Sequence, residues 1–255
     1  MYGPEFLRNI RLDVEYDGEE LFGWQRQDPL PTVQGILEQA IEKVLHRKVV
    51  VYGAGRTDSG VHARCQVANF YSDANTAIPH DRWTYVLNTK LPKNIRILRS
   101  MEVEPGFHAQ KKARGKIYEY TILNRSYSSA LDRRVYFCPF PIDWDRVEAA
   151  LPHFIGEKNF RSFQSGPQQV KCTIRRIKRF QLFREPRGFY RFEVEGNGFL
   201  KQMVRNMIGT VLEVGQGLKE PSDIEHIIRS QKRELAGRAV PPQGLCLVQV
   251  LYDGA

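Results

Sequence analysis

Short runs of alternating apolar and polar residues, joined mostly by connections of hairpin length, recur along this chain and commit much of it to antiparallel sheet. Ile10-Arg11-Leu12-Asp13-Val14-Glu15-Tyr16 alternates with period two and stops at Asp17-Gly18, the pattern of a half-buried strand. Val49-Val50-Val51-Tyr52 is β-branched and bounded by Gly53, which predicts a buried strand over 49–55. Val67–Tyr71, Ile95–Leu98, Ile117–Leu123, Thr173–Phe183, Tyr190–Val194 and Leu245–Val250 read as further strands. Helices interrupt them. Thr32 is placed to cap a helix whose apolar face is Val33, Ile36, Leu37, Ala40, Ile41, Val44 and Leu45. Others are expected around 79–88 and 143–155. A further helix follows Gly196-Asn197-Gly198, its apolar face running Leu200, Met203, Val204, Met207, Ile208, Val211 and Leu212. Its flank carries Arg205 in line with Gln202 and Gly209. Ser222 and Glu225 have capping-box spacing for a last helix. Few βαβ crossovers fit this order, so the expected class is α+β with largely antiparallel sheets. Each half mixes strands and helices comparably, which predicts two similar α/β lobes without a residue-level repeat. The basic stretch at 100–117 places their boundary, giving residues 1–105 and 106–255.

A chain of 255 residues that is 42% hydrophobic and 26% charged has the composition of a globular protein, not a disordered one. Lysine and arginine outnumber aspartate and glutamate 38 to 29, a formal charge of +9 that favours a polyanionic partner, with nucleic acid ahead of an anionic membrane. No apolar run is long enough to span a bilayer, and Met1-Tyr2-Gly3-Pro4-Glu5 does not open a signal peptide. Four cysteines lie far apart and six histidines are scattered, so no metal site is expected. The thiols read as those of a cytoplasmic protein.

Gly55-Arg56-Thr57-Asp58-Ser59-Gly60-Val61-His62-Ala63 sets one carboxylate, Asp58, in a short loop bracketed by glycines, with an arginine two residues before it. Glycines there let a ligand approach the backbone closely. Taken alone, T-D-S also fits a surface turn in which Asp58 or Ser59 bonds its own backbone. Ser59 and His62 lack the G-x-S-x-G elbow of a serine hydrolase.

Across nearly its whole length the chain resembles the tRNA pseudouridine synthase A (TruA) family. The resemblance is carried by Gly23-Trp24-Gln25 with Gln27, by Val33-Gln34 with Leu37-Glu38, and by the Gly55–Ala63 stretch. It continues through Leu87-Asn88 with Leu91-Pro92, Phe107-His108-Ala109, and Lys116 with Tyr118 and Tyr120. Near the end come Gly198-Phe199-Leu200, Met203-Val204-Arg205, Gly209, and Pro241 with Gly244-Leu245. Two places depart from the pattern. Gln110 stands where the family usually has arginine, and Val240 and Pro242 flank Pro241 where alanines are usual.

The resemblance implies isomerisation of uridine to pseudouridine in the anticodon arm of tRNA, at positions 38 to 40. It further implies two lobes whose sheets join across a central cleft (the pseudouridine synthase fold), a homodimer, and no metal or organic cofactor. It assigns catalysis to Asp58, with Arg205 as its cation and Tyr118 as the residue that stacks on the uracil. Asp58 could attack the sugar or the base, or take the sugar C2′ hydrogen, and the sequence leaves these routes open. Arg56 is the candidate to fill the space left by a flipped base, and Leu245 to wall the pocket. Lys111, Lys112, Arg114 and Lys116, with the run Arg175-Arg176 and Lys178-Arg179, are candidate phosphate contacts.

Overall fold

The computed structural model describes residues 7–166 and 172–253; the N-terminal reading of Met1–Glu5 falls outside them. In chain order the elements are β1 (Leu7–Tyr16), α1 (Val33–Leu45), β2 (Tyr52–Gly53), β3 (His62–Asp73), α2 (Trp83–Asn88) and β4 (Ile95–Val103). They continue with β5 (Gly115–Asn124), β6 (Tyr136–Cys138), α3 (Trp144–Ala150), β7 (Gly156–Asn159), β8 (Ile174–Glu185) and β9 (Phe189–Gly196). The last are α4 (Met203–Gly215), α5 (Asp223–Ser230) and β10 (Leu245–Leu251). Two compact units result. Among the described residues, unit 1 comprises 7–114 and 247–253, and unit 2 comprises 115–166 and 172–246.

In unit 1 the strand order is β4-β1-β3-β10, with β2 on β3. β1 pairs antiparallel with both β3 and β4. Its alternation sends Ile10, Leu12, Val14 and Tyr16 into the core. α1 has the expected cap, the Thr32 hydroxyl accepting from the Gly35 N–H. Val33, Leu37, Ala40 and Ile41 are buried, each large aliphatic side chain contributing about 1.5–3 kcal/mol. Ile36, Val44 and Leu45 are only half-buried.

The expected strand at 49–55 is reduced to Tyr52–Gly53, and Val50 is 50% exposed. The cause lies on α1. The Val51 N–H donates to the Glu38 carboxylate (3.0 Å), and the Val51 carbonyl accepts from the Gln34 amide (3.1 Å). Side chains of the helix thus take the place of a strand partner. Glu38 also accepts from Gln34 (3.1 Å) and from Arg26 (2.8 Å), and is itself buried. Conversely, β3 begins earlier than expected, at His62, so the motif runs from a loop into a strand.

In unit 2 the order is β5-β9-β8-β7, every neighbouring pair antiparallel, and β6 adds parallel to β5. α4 is buried on nearly all sides, starting at Met203 because Gln202 before it is left-handed (φ 58°). The helix expected over 143–155 is α-helical only to Ala150. A 3-10 turn, Leu151–Phe154, follows around Pro152, which has no N–H to continue the ladder. The helix expected at 79–88 begins at Trp83. The Ser222–Glu225 capping box does not form. The Asp223 carboxylate accepts the Glu220 N–H instead, while Glu225 meets His153 and Arg229, whose hydrogen bonds hold its carboxyl below its ordinary pKa.

Replacing Glu38 with alanine is expected to cost about 2–4 kcal/mol, because it strands a buried backbone N–H and an amide. Glu38→Gln, which keeps an acceptor for Val51, should lose less. Urea unfolding of both variants measures the difference.

Candidate active site

The Asp58 loop is held by backbone from outside it. Trp24 N–H donates to the Thr57 carbonyl (3.1 Å), and Gly60 N–H to the Leu21 carbonyl (3.2 Å). The Ser59 hydroxyl also donates to Leu21 (3.2 Å), and the Gln66 amide donates to the Gly55 carbonyl (2.9 Å). Tyr16 and Thr57 share a hydroxyl–hydroxyl bond of 2.8 Å. Gly23 is left-handed (φ +81°), and a Cβ there would stand 2.6 Å from the Thr57 carbonyl oxygen. Gly-Trp-Gln and the Asp58 motif are therefore one construction. The Trp24 carbonyl in turn accepts from Gln34 N–H at the start of α1 (3.0 Å). His62 Nδ1 lies 3.0 Å from the Gly18 nitrogen and 2.9 Å from Asp17, tying the first turn to β3. One nitrogen cannot accept from the first and donate to the second at once, so the tautomer selects one bond. Within the loop Asp58 is half-buried and Arg56 is exposed.

Phe107-His108-Ala109 is pinned by two buried asparagines. Asn9 donates to the Phe107 carbonyl (2.9 Å), Asn69 donates to Asn9 (3.0 Å), and the Ala109 N–H donates to Asn69 (2.9 Å). This anchors the basic segment that follows. Lys111 and Lys112 are exposed. Lys112 lies 3.3 Å from Glu104, and Arg114 is bound to Asp253 at 2.6 Å.

In unit 2, Tyr118 and Tyr120 share one face of β5, and their surroundings separate them. Tyr120 is fully buried, its hydroxyl donating to the Pro241 carbonyl (2.8 Å), and burial pushes its phenol well above its ordinary pKa. That is a core tyrosine. Tyr118 keeps 7% exposure and meets Phe199 edge-on, ring centroids 5.2 Å apart. Arg205, half-buried on α4, donates from Nε to the Val240 carbonyl (2.7 Å), while Val240 N–H donates back to the Arg205 carbonyl (3.3 Å). Segment 236–241 lies directly on α4 because Gly209 has no side chain; a Cβ there would fall 1.8 Å from the Arg238 oxygen. Only the backbone of Val240 is used, so its departure from the family's alanine leaves this contact intact. Leu245 is buried at the head of β10.

The basic strand β8 divides by sheet face. Arg179 pairs with Glu193 (2.7 Å) and Glu195 (3.3 Å), Lys178 with Glu195 (3.4 Å), and Arg176 with Glu157 (3.1 Å). With Arg191–Glu119 (3.0 Å) they form a ladder of ion pairs on the face opposite Tyr118. Arg175 lies on the Tyr118 face, as does Lys116, two residues before Tyr118. Desolvation first, and the Arg175 charge second, lower the Lys116 pKa to about 8.

Among the described residues, no three histidine, cysteine or acidic side chains gather as a metal site, and no helix is long and apolar enough to cross a membrane.

A glycine-bracketed carboxylate loop stands in unit 1, and a helix-borne arginine and a strand-borne tyrosine stand in unit 2. The family model described as tRNA pseudouridine synthase matches residues 14–110 and 150–253. A tRNA pseudouridine synthase A of Acetivibrio thermocellus is 44% identical over 96% of this chain and 100% of its own. Proteins of Clostridium perfringens (tRNA pseudouridine synthase A 2) and Caldicellulosiruptor bescii (tRNA pseudouridine synthase A) are 43% and 42% identical over the same shares. The chain belongs to the tRNA pseudouridine synthase A family, a family of isomerases.

Two features escaped the sequence reading. Gln34 and Glu38 are polar at i and i+4 beside an apolar face, a signal available in the sequence, yet their role as partners for Val51 shows only in the fold. The sorting of β8 by face depended on a bulge between Ile177 and Arg179.

Two outcomes follow. Gly209→Ala should displace segment 236–241 and with it the partner of Arg205, lowering both the melting temperature and turnover per folded molecule. Lys116→Gln should raise stability at neutral pH. A lysine held at about 8 is disfavoured as a cation in the folded state, a cost fully present below that pH. The cost is relieved as pH climbs from 8 to the ordinary lysine value of about 10.4. Calorimetry should therefore find the variant's advantage at pH 7 and its disappearance above that range, at about 2–4 °C for each kcal/mol relieved.

Proposed function

We propose that this protein isomerises uridine to pseudouridine in the anticodon stem-loop of tRNA, at positions 38 to 40, with Asp58 starting the reaction. The observation that carries this reading is the Asp58 loop, its backbone held by Leu21, Trp24 and Gln66, inside a chain related to tRNA pseudouridine synthases over 96% of its length. The C1′–N1 bond breaks, the uracil turns, a C1′–C5 bond forms, C5 gives up its proton and N1 gains one. The balance is neutral in atoms and electrons, so the reaction calls for no oxidant, reductant or group donor.

A base inside a stem must first leave the stack, at a cost of a few kcal/mol. Arg56, exposed and two residues from Asp58, is the group to occupy the vacated place with its planar guanidinium. Asp58 acts as nucleophile on the sugar or base, or as base towards C2′. Arg205 supplies the positive charge that accompanies the reaction, its guanidinium steadied by the Val240 carbonyl. Tyr118, braced by Phe199, stacks on the uracil and offers its phenol for the C5 proton step. Leu245 supplies an apolar wall. Lys111, Lys112 and Arg114 contact phosphates, which makes binding fall with salt. The working form is a homodimer in the cytoplasm.

Asp58→Asn keeps the shape of the side chain and removes its charge. Pseudouridine formation should disappear, while tRNA affinity stays within about tenfold, or 1.4 kcal/mol, since binding is spread over many phosphates. Mapping pseudouridine in tRNA incubated with each form checks this; a folded variant with near-normal turnover removes Asp58 from the mechanism.

A further inference from the structure

Lys116 and Arg175 are two cations on the Tyr118 face that the ion-pair ladder leaves out; Lys158, opposite Arg175 on β7, donates instead to the His153 carbonyl. β5 and β9 pair with Lys116 opposite Gly196, so β9 presents no side chain across from the lysine. Gly196-Asn197-Gly198 then turns away from β9. Arg175 stands over that turn, its Nε 3.6 Å from where a Gly198 Cβ would lie. The turn is fixed to β8 from both sides, Arg176 N–H donating to the Asn197 amide oxygen (2.9 Å) and Asn197 N–H to the Arg176 carbonyl (3.0 Å). Phe199, the next residue but one, braces Tyr118.

Neither cation has an acidic partner among the described residues. Arg175 spends one terminal nitrogen on the carbonyls of Cys172 (3.1 Å) and Ile174 (2.6 Å). The carboxylates on the neighbouring strands, Glu193, Glu195 and Glu119, all lie on the other face and are already paired. Two like charges therefore share a partly desolvated corner, each raising the cost of the other. An anion would remove that cost, and a phosphodiester oxygen suits both a lysine ammonium and an arginine fork.

We propose that Lys116 and Arg175, at the Gly196–Gly198 turn, form a binding site for a single backbone phosphate of the RNA whose base stacks on Tyr118. The proposal rests on the tRNA reading above. Successive residues on one strand face are about 6.6–6.8 Å apart, so a phosphate held by Lys116 lies one such step from a base on Tyr118. The site thus grips the backbone next to the nucleotide that has left the stack, whereas exposed lysines elsewhere grip the tRNA at large.

The test compares Lys116→Gln and Arg175→Gln with the unaltered protein, measuring tRNA affinity across a salt series. Each variant should bind about 5–20-fold more weakly, and the slope of log affinity against log salt should shrink by about one. The double variant should be little worse than either single one, because both cations hold one phosphate. Lys116→Gln should melt no lower than the unaltered protein, which separates a binding role from a structural one. Arg191→Gln, on the opposite face, should lose less than twofold. Affinity within twofold and an unchanged slope for Lys116→Gln would overturn the site.

An arm without RNA keeps the two readings apart. Lysine-resolved NMR with inorganic phosphate should move the Lys116 titration upward from about 8 in the unaltered protein, and much less in Arg175→Gln. If phosphate leaves it in place while the protein still modifies tRNA, the site fails and the enzyme reading stands. If phosphate moves it but no tRNA is bound or modified, the enzyme reading fails, and the claim that this phosphate belongs to RNA fails with it.

Discussion

Thr57 and Asp58 are shaped less by their own sequence than by the close approach of the Gly23–Trp24 backbone. That approach requires a residue without Cβ at 23, a left-handed turn there, and a Trp24 N–H aimed at the Thr57 carbonyl. Once it is made, the same segment hands its carbonyls to the first turn of α1, Gly23 to Val33 and Trp24 to Gln34. α1 then reaches across to Val51 through Gln34 and Glu38. Loop, helix and the approach to β2 are consequently one cooperative polar construction on an apolar floor, and a fault in any member propagates to the carboxylate. Networks of this kind are stabilising only when every member is satisfied.

Much of the fold was legible in the chain. The period-two runs at 10–16, 117–123 and 190–194 became strands with the expected inward residues, and the helices at 33–45 and 203–215 stand where the apolar spacing put them. Errors arose where side chains competed with backbone. The Val49–Tyr52 run has every local preference of a strand, yet Glu38 and Gln34 outbid a strand partner for Val51. Ser222 and Glu225 have capping-box spacing, yet Asp223, His153 and Arg229 offered better partners. Neither competition is visible without knowing which segments become neighbours.

Charge shows the same division. A net charge of +9 points to a polyanion but does not say which cations face it. On β8 and β9 the answer depends on parity. Arginines and lysines at one phase meet glutamates and become part of the sheet's own cross-strand pairing, contributing little to a partner. Arg175 and Lys116, at the other phase, keep their charge available beside the aromatic pair Tyr118 and Phe199. Phe107-His108-Ala109 was recognisable as a motif, but its purpose as an anchor for Lys111–Arg114 emerged only with the buried pair Asn9 and Asn69.

Unit 1 is discontinuous: residues 247–253 lay β10 beside β3, Tyr252 hydrogen-bonds the Ala109 carbonyl, and Asp253 binds Arg114. This has a consequence for synthesis on the ribosome. The first 114 residues emerge with the outer edge of β3 covered only at Ala68–Asn69 by β2, and the strand that covers the rest is translated only after the whole of unit 2. At elongation rates of about 5–20 residues per second, that edge waits many seconds for its cover. Unit 2, contiguous from 115 to 246, has all of its own strands before then. The carboxylate loop, encoded early, thus belongs to the part of the molecule that is completed last.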